Sequence, residues 1–351
     1  SSSVGAASSW PGVTVSESTG FFAYGTQIYA LDTQNGSLLW NYPAEPQSGR
    51  QFYAAPGVGA DFVVVGDYSN TLAAVDKQSG VEKWQFSGAN DRYVGSALVA
   101  NGSVFAPNTD HFMYALDESG NLAWRFEAQG PNWTQPAADE NYVYLASMDH
   151  FVYALKKAYT AAELKPAEDG SSTLVSEPVW SLDLGAAVVA DPVLAEGILY
   201  TGTIDGKLYA IDLASQAILW SFDGNGALAS IWGSPVVTAN AVFVGDEDGN
   251  IFAVGKSDGK TLWPDPFAAG SGVISSGTVM EDRVVFATNT GKIFTINENK
   301  ELKTLVTLEA TLYSPLELDT DKIIVAPATK EKLFVALNAD GNEVWNYYPE
   351  K

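Results

Sequence analysis

One twelve-residue phrase recurs along the chain, and it limits what the chain can fold into. Its fullest form is Tyr29-Ala30-Leu31-Asp32, then Gly36, then Trp40. Tyr114-Ala115-Leu116-Asp117, Gly120 and Trp124 repeat it one residue shorter. Ala73-Ala74-Val75-Asp76 with Gly80 and Trp84, Tyr209-Ala210-Ile211-Asp212 with Trp220, and Val335-Ala336-Leu337-Asn338 with Gly341 and Trp345 follow the same pattern. Phe252-Ala253-Val254-Gly255 with Gly259 and Trp263 is a looser copy. Two copies depart from it. Tyr153-Ala154-Leu155 runs into an insertion before Trp180, and Phe294-Thr295-Ile296-Asn297 has Leu305 where a tryptophan is due. The intervals between successive tryptophans are 44, 40, 56, 40, 43 and 82 residues from Trp40 to Trp345, the last being two periods. The count is eight units, and a period of about 40–50 residues points to a propeller or another repeat array.

Each unit reads as four short strands. Residues 231–263 show this well: Pro235-Val236-Val237, Ala241-Val242-Phe243-Val244, a turn at Asp246-Glu247-Asp248-Gly249-Asn250, Ile251-Phe252-Ala253-Val254, and a fourth strand beginning Lys260-Thr261-Leu262-Trp263. The runs are β-branched and aromatic with turn residues between them, and none has sustained helical periodicity. In the repeated phrase the aspartate caps a turn with its carboxylate, the glycine supplies a positive φ, and the tryptophan is left to pack on the next unit. The expected fold is all-β: an eight-bladed propeller of four-stranded antiparallel blades.

The phrase is similar to the tryptophan-docking repeat of the pyrroloquinoline-quinone-type (PQQ-type) eight-bladed propellers, which include quinoprotein dehydrogenases and BamB-like envelope lipoproteins. The resemblance covers about residues 10–347. It implies the fold directly. It implies function only loosely, because enzymes and scaffolds share the packing device.

Residues 1–9, Ser/Gly/Ala-rich, are expected to be a flexible leader, and residues 10–351 a single propeller with an insertion at 156–177 in blade 4. That insertion, around Lys156-Lys157-Ala158-Tyr159, is expected to form a helical turn or two before Pro166, or an inert excursion. The leader also suits a tether behind a removed lipidated residue. The formal net charge is −23, which repels phosphate backbones and anionic lipid and so disfavours nucleic acid and membrane-surface partners. There is no cysteine, hence no disulfide and no thiolate metal site. No apolar run is long enough to span a bilayer.

In a meander of four strands the second hairpin and the crossover to the next blade share one face. The crossovers place one aligned residue just before each first strand: Trp10, Tyr53, Val94, Trp133, Val189, Trp232, Ile274 and Leu312. Two residues on come Gly12, Ala55, Ser96, Gln135, Asp191, Ser234, Ser276 and Ser314. The aromatics Trp10, Tyr53, Trp133 and Trp232 form a candidate funnel mouth for a peptide strand or a flat ligand, with packing as the plainer alternative. His111 and His150 fall at one repeat position in neighbouring blades, where a shared metal is the sharper reading and a duplicated turn the plainer one. Asp246 to Asn250 is acidic but lacks the loop length of a calcium-binding EF-hand and aligns with an ordinary hairpin.

No nucleophile–base pair or phosphate loop stands out. The expected function is a non-enzymatic, monomeric, BamB-like interaction propeller of the cell envelope or surface, periplasmic or lipid-anchored, with protein partners and no cofactor or metal. A PQQ-binding quinoprotein and a carbohydrate-binding propeller are the alternatives.

Overall fold

A computed structural model describes residues 12–167, 173–327, 329 and 331–349. Among these there is no helix, and the strands form eight antiparallel sheets. Blade 1 has strands Gly12–Ser16, Thr19–Tyr24, Gln27–Asp32 and Leu38–Tyr42, joined in sequence order. Blades 2 to 8 repeat this over 57–86, 98–127, 137–183, 193–222, 236–268, 278–307 and 317–347.

The middle residues of the second and third strands of each blade are mostly apolar on both faces because both faces are buried. In blade 1, Phe21, Ala23, Ile28 and Ala30 pack toward Val63, Val65, Ala73 and Val75 of blade 2. Phe22, Tyr29 and Leu31 pack the other way, toward Ile324, Phe334 and Ala336 of blade 8. The apolar core is therefore a series of layers between neighbouring blades, one at each of the eight junctions.

The tryptophans fasten these layers. The indole N–H of Trp40 donates to the carbonyl of Lys77 at 3.0 Å, Trp84 to Glu118 at 2.9 Å, Trp220 to Lys256 at 3.0 Å, Trp263 to Glu298 at 2.8 Å and Trp345 to Thr33 at 2.7 Å. Each acceptor directly follows the capping position that closes the phrase's third strand. The ring then lies on the next blade's glycine, except that Trp263 meets Lys300, whose Nζ is 5.6 Å from the ring centroid. A Cβ on Gly36 (φ +75°) would come within 2.7 Å of the Trp345 ring, so only glycine fits. Asp32 caps the turn as its position suggests, its Oδ1 accepting the N–H of Gln34 at 2.7 Å. Opposite each of these tryptophans but Trp263 stands the alanine of the phrase, as Ala30 faces Trp40, and the register shifts by one just beyond. That bulge turns the indole toward the neighbouring blade.

The ring closes without a shared blade. All four strands of blade 8 lie within 317–347, and its first strand, Glu317–Asp319, packs beside Gly12–Ser16 of blade 1.

Two local expectations are corrected. The fourth strand of blade 6 does not run from Lys260. Only Thr261 bridges to Val254, and pairing resumes at Phe267–Ala268, because Pro264 and Pro266 have no N–H to donate. The insertion is not an excursion. It makes one turn, with Glu163 N–H donating to Thr160 O at 3.0 Å, and then two short strands, Lys165–Pro166 and Leu174–Val175. The second lies parallel to the outer strand of blade 3, with Ser176 N–H donating to Arg125 O at 2.9 Å, so blade 3 becomes a six-stranded sheet. Tyr159 anchors the segment. Its ring meets Trp124 edge-on at 5.2 Å, and its hydroxyl accepts from Lys156 N at 3.0 Å and donates to Glu177 O at 2.8 Å.

Candidate functional site

The first strands of the blades surround the centre of the ring, and the crossovers that enter them build a mouth. In these crossovers buried and half-buried residues alternate, as in 131–136 and 231–234, so every second side chain faces inward. The mouth is a cavity of about 460 Å³ walled by Tyr53, Tyr68, Trp133, Trp232 and Tyr313 among others.

Tyr53, Tyr68 and Trp232 are held in place by their neighbours. Tyr53 stacks on Tyr68, ring centroids 5.2 Å apart and planes 22° from parallel. Tyr68 belongs to the second hairpin of blade 2, so hairpin and crossover share a face as the topology requires. Burial, followed by the neighbouring Tyr68, pushes the Tyr53 hydroxyl up to about 12, and burial raises Tyr68 as well. The guanidinium of Arg92 lies over the Tyr68 ring, 5.2 Å from its centroid. Trp232 is steadied from its own blade, its indole N–H donating to Glu247 Oε2 at 3.3 Å.

Deeper in, the wall becomes polar. Ser96, Gln135, Asp191, Ser234 and Ser276 are the inward residues two positions after the aromatic ring. Ser276 Oγ donates to Ser234 Oγ at 3.0 Å and accepts the Ser234 N–H at 3.0 Å. Asp191 Oδ1 accepts the Gln135 N–H at 2.7 Å. Past this waist lies a second chamber of about 490 Å³ that shares Ala55, Ser96, Asp191, Ser276 and Pro315 with the first. Burial pushes the Asp191 carboxyl up to about 6, against the lowering effect of the Gln135 N–H, and pushes Glu317 in the second chamber up to about 7.

Of the residues singled out in sequence, Tyr53, Trp133 and Trp232 do line one cavity. Trp10 lies outside the described residues. Leu312 was placed one residue out of register: it is buried between blades 7 and 8, and Tyr313 takes the position at the mouth. The offset to the first strand would have found it, since four residues separate Tyr53 from Gly57, Trp133 from Ala137 and Tyr313 from Glu317. Tyr68, Arg92 and Glu317 were also missed: Tyr68 comes from a hairpin, and Arg92 lies in the crossover into blade 3, two residues ahead of Val94. His111 and His150 sit in hairpin turns at φ +78° and +82°, where Gly206, Gly249 and Gly291 stand in other blades. The described residues hold no group of three or more acidic or histidine side chains arranged for a metal. Asp246 is a turn aspartate, its Oδ1 accepting the Asn250 N–H at 2.7 Å.

A family model described as outer membrane protein assembly factor BamB matches residues 2–97. The structure also superposes on BamB from Moraxella catarrhalis with a TM-score of 0.72 at 18% identity, covering 94% of this chain and 91% of that one. The chain is an eight-bladed propeller similar to BamB. BamB of Bordetella pertussis is 26% identical over 190 residues, 52% of this chain and 45% of that protein. Relatives with other names match over similar lengths. A serine/threonine-protein kinase, AfsK, of Streptomyces griseus is 26% identical over 55% of this chain and 22% of its own length. Tetrathionate hydrolase of Acidithiobacillus ferrooxidans is 24% identical over 56% of this chain and 40% of its own. The chain thus spans less than half the length of these curated relatives. A computationally designed protein, Ika8, superposes with a TM-score of 0.74 at 17% identity, covering 97% of this chain and 96% of that one. Such a likeness speaks for the fold alone.

Proposed function

We propose that this BamB-like propeller is a non-enzymatic scaffold of the cell envelope or surface, acting outside the cytoplasm, that holds an extended segment of a partner protein in its aromatic mouth. The eight blades act as one domain. The carrying observation is the mouth itself: five aromatic side chains converge on one cavity, with Tyr53 stacked on Tyr68 and Trp232 hydrogen-bonded to Glu247. Aromatic rings with polar handles are the usual anchors of protein interfaces. The likeness to an assembly factor supports a scaffold role by analogy.

The reading is tested by measuring binding of a displayed library of extended peptides to the chain and to its Trp133→Ala/Trp232→Ala variant. Peptides selected on the parent and lost on the folded variant are the expected result. Equal selection on both would remove the mouth from the function.

A second reading has one observation in its favour. Flat aromatic walls with a guanidinium at the rim suit a planar anionic ring such as PQQ. Against it, Asp191 is the single carboxylate that the described residues bring to the mouth for a calcium ion. A melting curve with PQQ, with and without Ca²⁺, separates the two. A ligand at 100 times its Kd stabilises by about 2.7 kcal/mol, and a Ca²⁺-dependent rise of that size would replace the scaffold reading.

A further inference from the structure

Among the described residues, the floor of the mouth carries a carboxylate, Asp191, with no ion pair to it. Only two charged side chains, Arg92 and Asp191, line the mouth among the described residues. Arg92 is engaged at the rim over Tyr68, whereas Asp191 has the Gln135 N–H as its hydrogen bond at 2.7 Å. Below it, Glu317 is the one other charged residue lining the second chamber. From rim to floor the path therefore runs through aromatic walls to two carboxylates.

Asp191 is half-buried and lines both chambers, so it is reached through the cavity while much of its surroundings is protein. A carboxylate so enclosed is unfavourable unless something pairs with it, which is the reason its proton is held up to about 6. A cation brought in from outside supplies the pairing. The walls select which cation. Ring faces attract an organic cation through their quadrupoles, and they also favour an apolar stem behind it. A side chain with an alkyl stem and a charged tip uses walls and floor together, which a bare metal ion does not. The net charge of −23 draws a basic segment toward the surface from a distance.

We propose that the mouth takes a lysine or arginine side chain from the partner segment, with its cation paired to Asp191 between the aromatic walls. This rests on the reading that the mouth holds a peptide.

The test is calorimetric titration of the whole chain at neutral pH with three pentapeptides: Gly-Gly-Lys-Gly-Gly, the same peptide with Nε-acetyl-lysine, and Gly-Gly-Glu-Gly-Gly. The lysine peptide should bind at least tenfold more tightly than the acetylated one. Asp191→Asn keeps an oxygen for the Gln135 N–H and should bring the two to equal affinity. The proposal is overturned by equal binding of lysine and acetyl-lysine to the parent chain, by a preference that survives Asp191→Asn, by tighter binding of the glutamate peptide, or by no binding at millimolar concentration. Binding without charge preference that weakens in Trp133→Ala leaves the mouth as a peptide site and removes only the pairing. Binding indifferent to Trp133→Ala and Trp232→Ala removes the mouth itself.

Discussion

Trp345 donates its indole N–H to the backbone carbonyl of Thr33 at 2.7 Å, across 312 residues of sequence. Both residues are buried, and the contact repeats at the seam between blades 8 and 1 what Trp40 does between blades 1 and 2. The seam is thus fastened by the device used inside the ring.

Replacing Trp345 with leucine, the residue that Leu305 already provides in blade 7, removes the hydrogen bond and much of the buried ring. The expected loss is about 2–4 kcal/mol, seen as a lower urea midpoint. A midpoint unchanged within error would mean that the first strands alone hold the seam.

Gly36→Ala and Gly25→Ala make a controlled pair. Both glycines have positive φ, +75° and +57°, but a Cβ on Gly25 meets nothing, while one on Gly36 meets the Trp345 ring. Gly25→Ala should cost about 1 kcal/mol from backbone strain alone. Gly36→Ala should cost at least twice that, because the indole must also move. Equal losses in thermal melts would refute docking as the reason for the glycine.

Leu305→Trp should restore the missing fastener. The acceptor it needs is the carbonyl of Ala339, one residue after Asn338, now approached by Lys303 Nζ at 3.4 Å. An added indole hydrogen bond predicts a gain of about 1 kcal/mol and a higher melting temperature. A lower melting temperature would show that the junction has repacked around leucine.

Glu317 makes stability depend on pH. Its carboxyl titrates near 7 in the fold against 4.5 when free, so the folded chain keeps a proton that the unfolded chain gives up. The stabilisation is complete below pH 4.5 and is lost as pH rises through 7. Glu317→Gln should therefore stabilise the chain by about 2–3 kcal/mol at pH 8 and leave it unchanged at pH 4. Asp191→Asn should show the same sign over a lower window, from about 4 to about 6. Stabilisation that is the same at both pH values would contradict the burial of these carboxyls.

The repeated phrase made the fold legible because one packing problem is solved many times in it: Ala30, Asp32, Gly36 and Trp40 each have one structural task, and the same task returns in other blades. The mouth was half legible. Tyr53, Trp133 and Trp232 could be aligned because they precede strands at a fixed offset, but Tyr313 was missed by one position where two neighbouring residues, Leu312 and Tyr313, are both large. Tyr68 and Arg92 were not legible, since the place of Tyr68 depends on how a hairpin leans over the mouth and that of Arg92 on how the crossover into blade 3 runs along the rim. Nor was the insertion. A single Arg125–Val175 pairing seats its second strand on blade 3, and no local pattern announces a partner some fifty residues away.

The insertion also marks the ring. Seven sheets end on a four-stranded outer edge, and the eighth is capped by chain that leaves from its neighbour. A body with near-eightfold symmetry offers equivalent approaches around its rim. Capping one sector breaks that degeneracy, so a protein that grips the rim by adding a strand has seven berths and one fixed reference from which to count them.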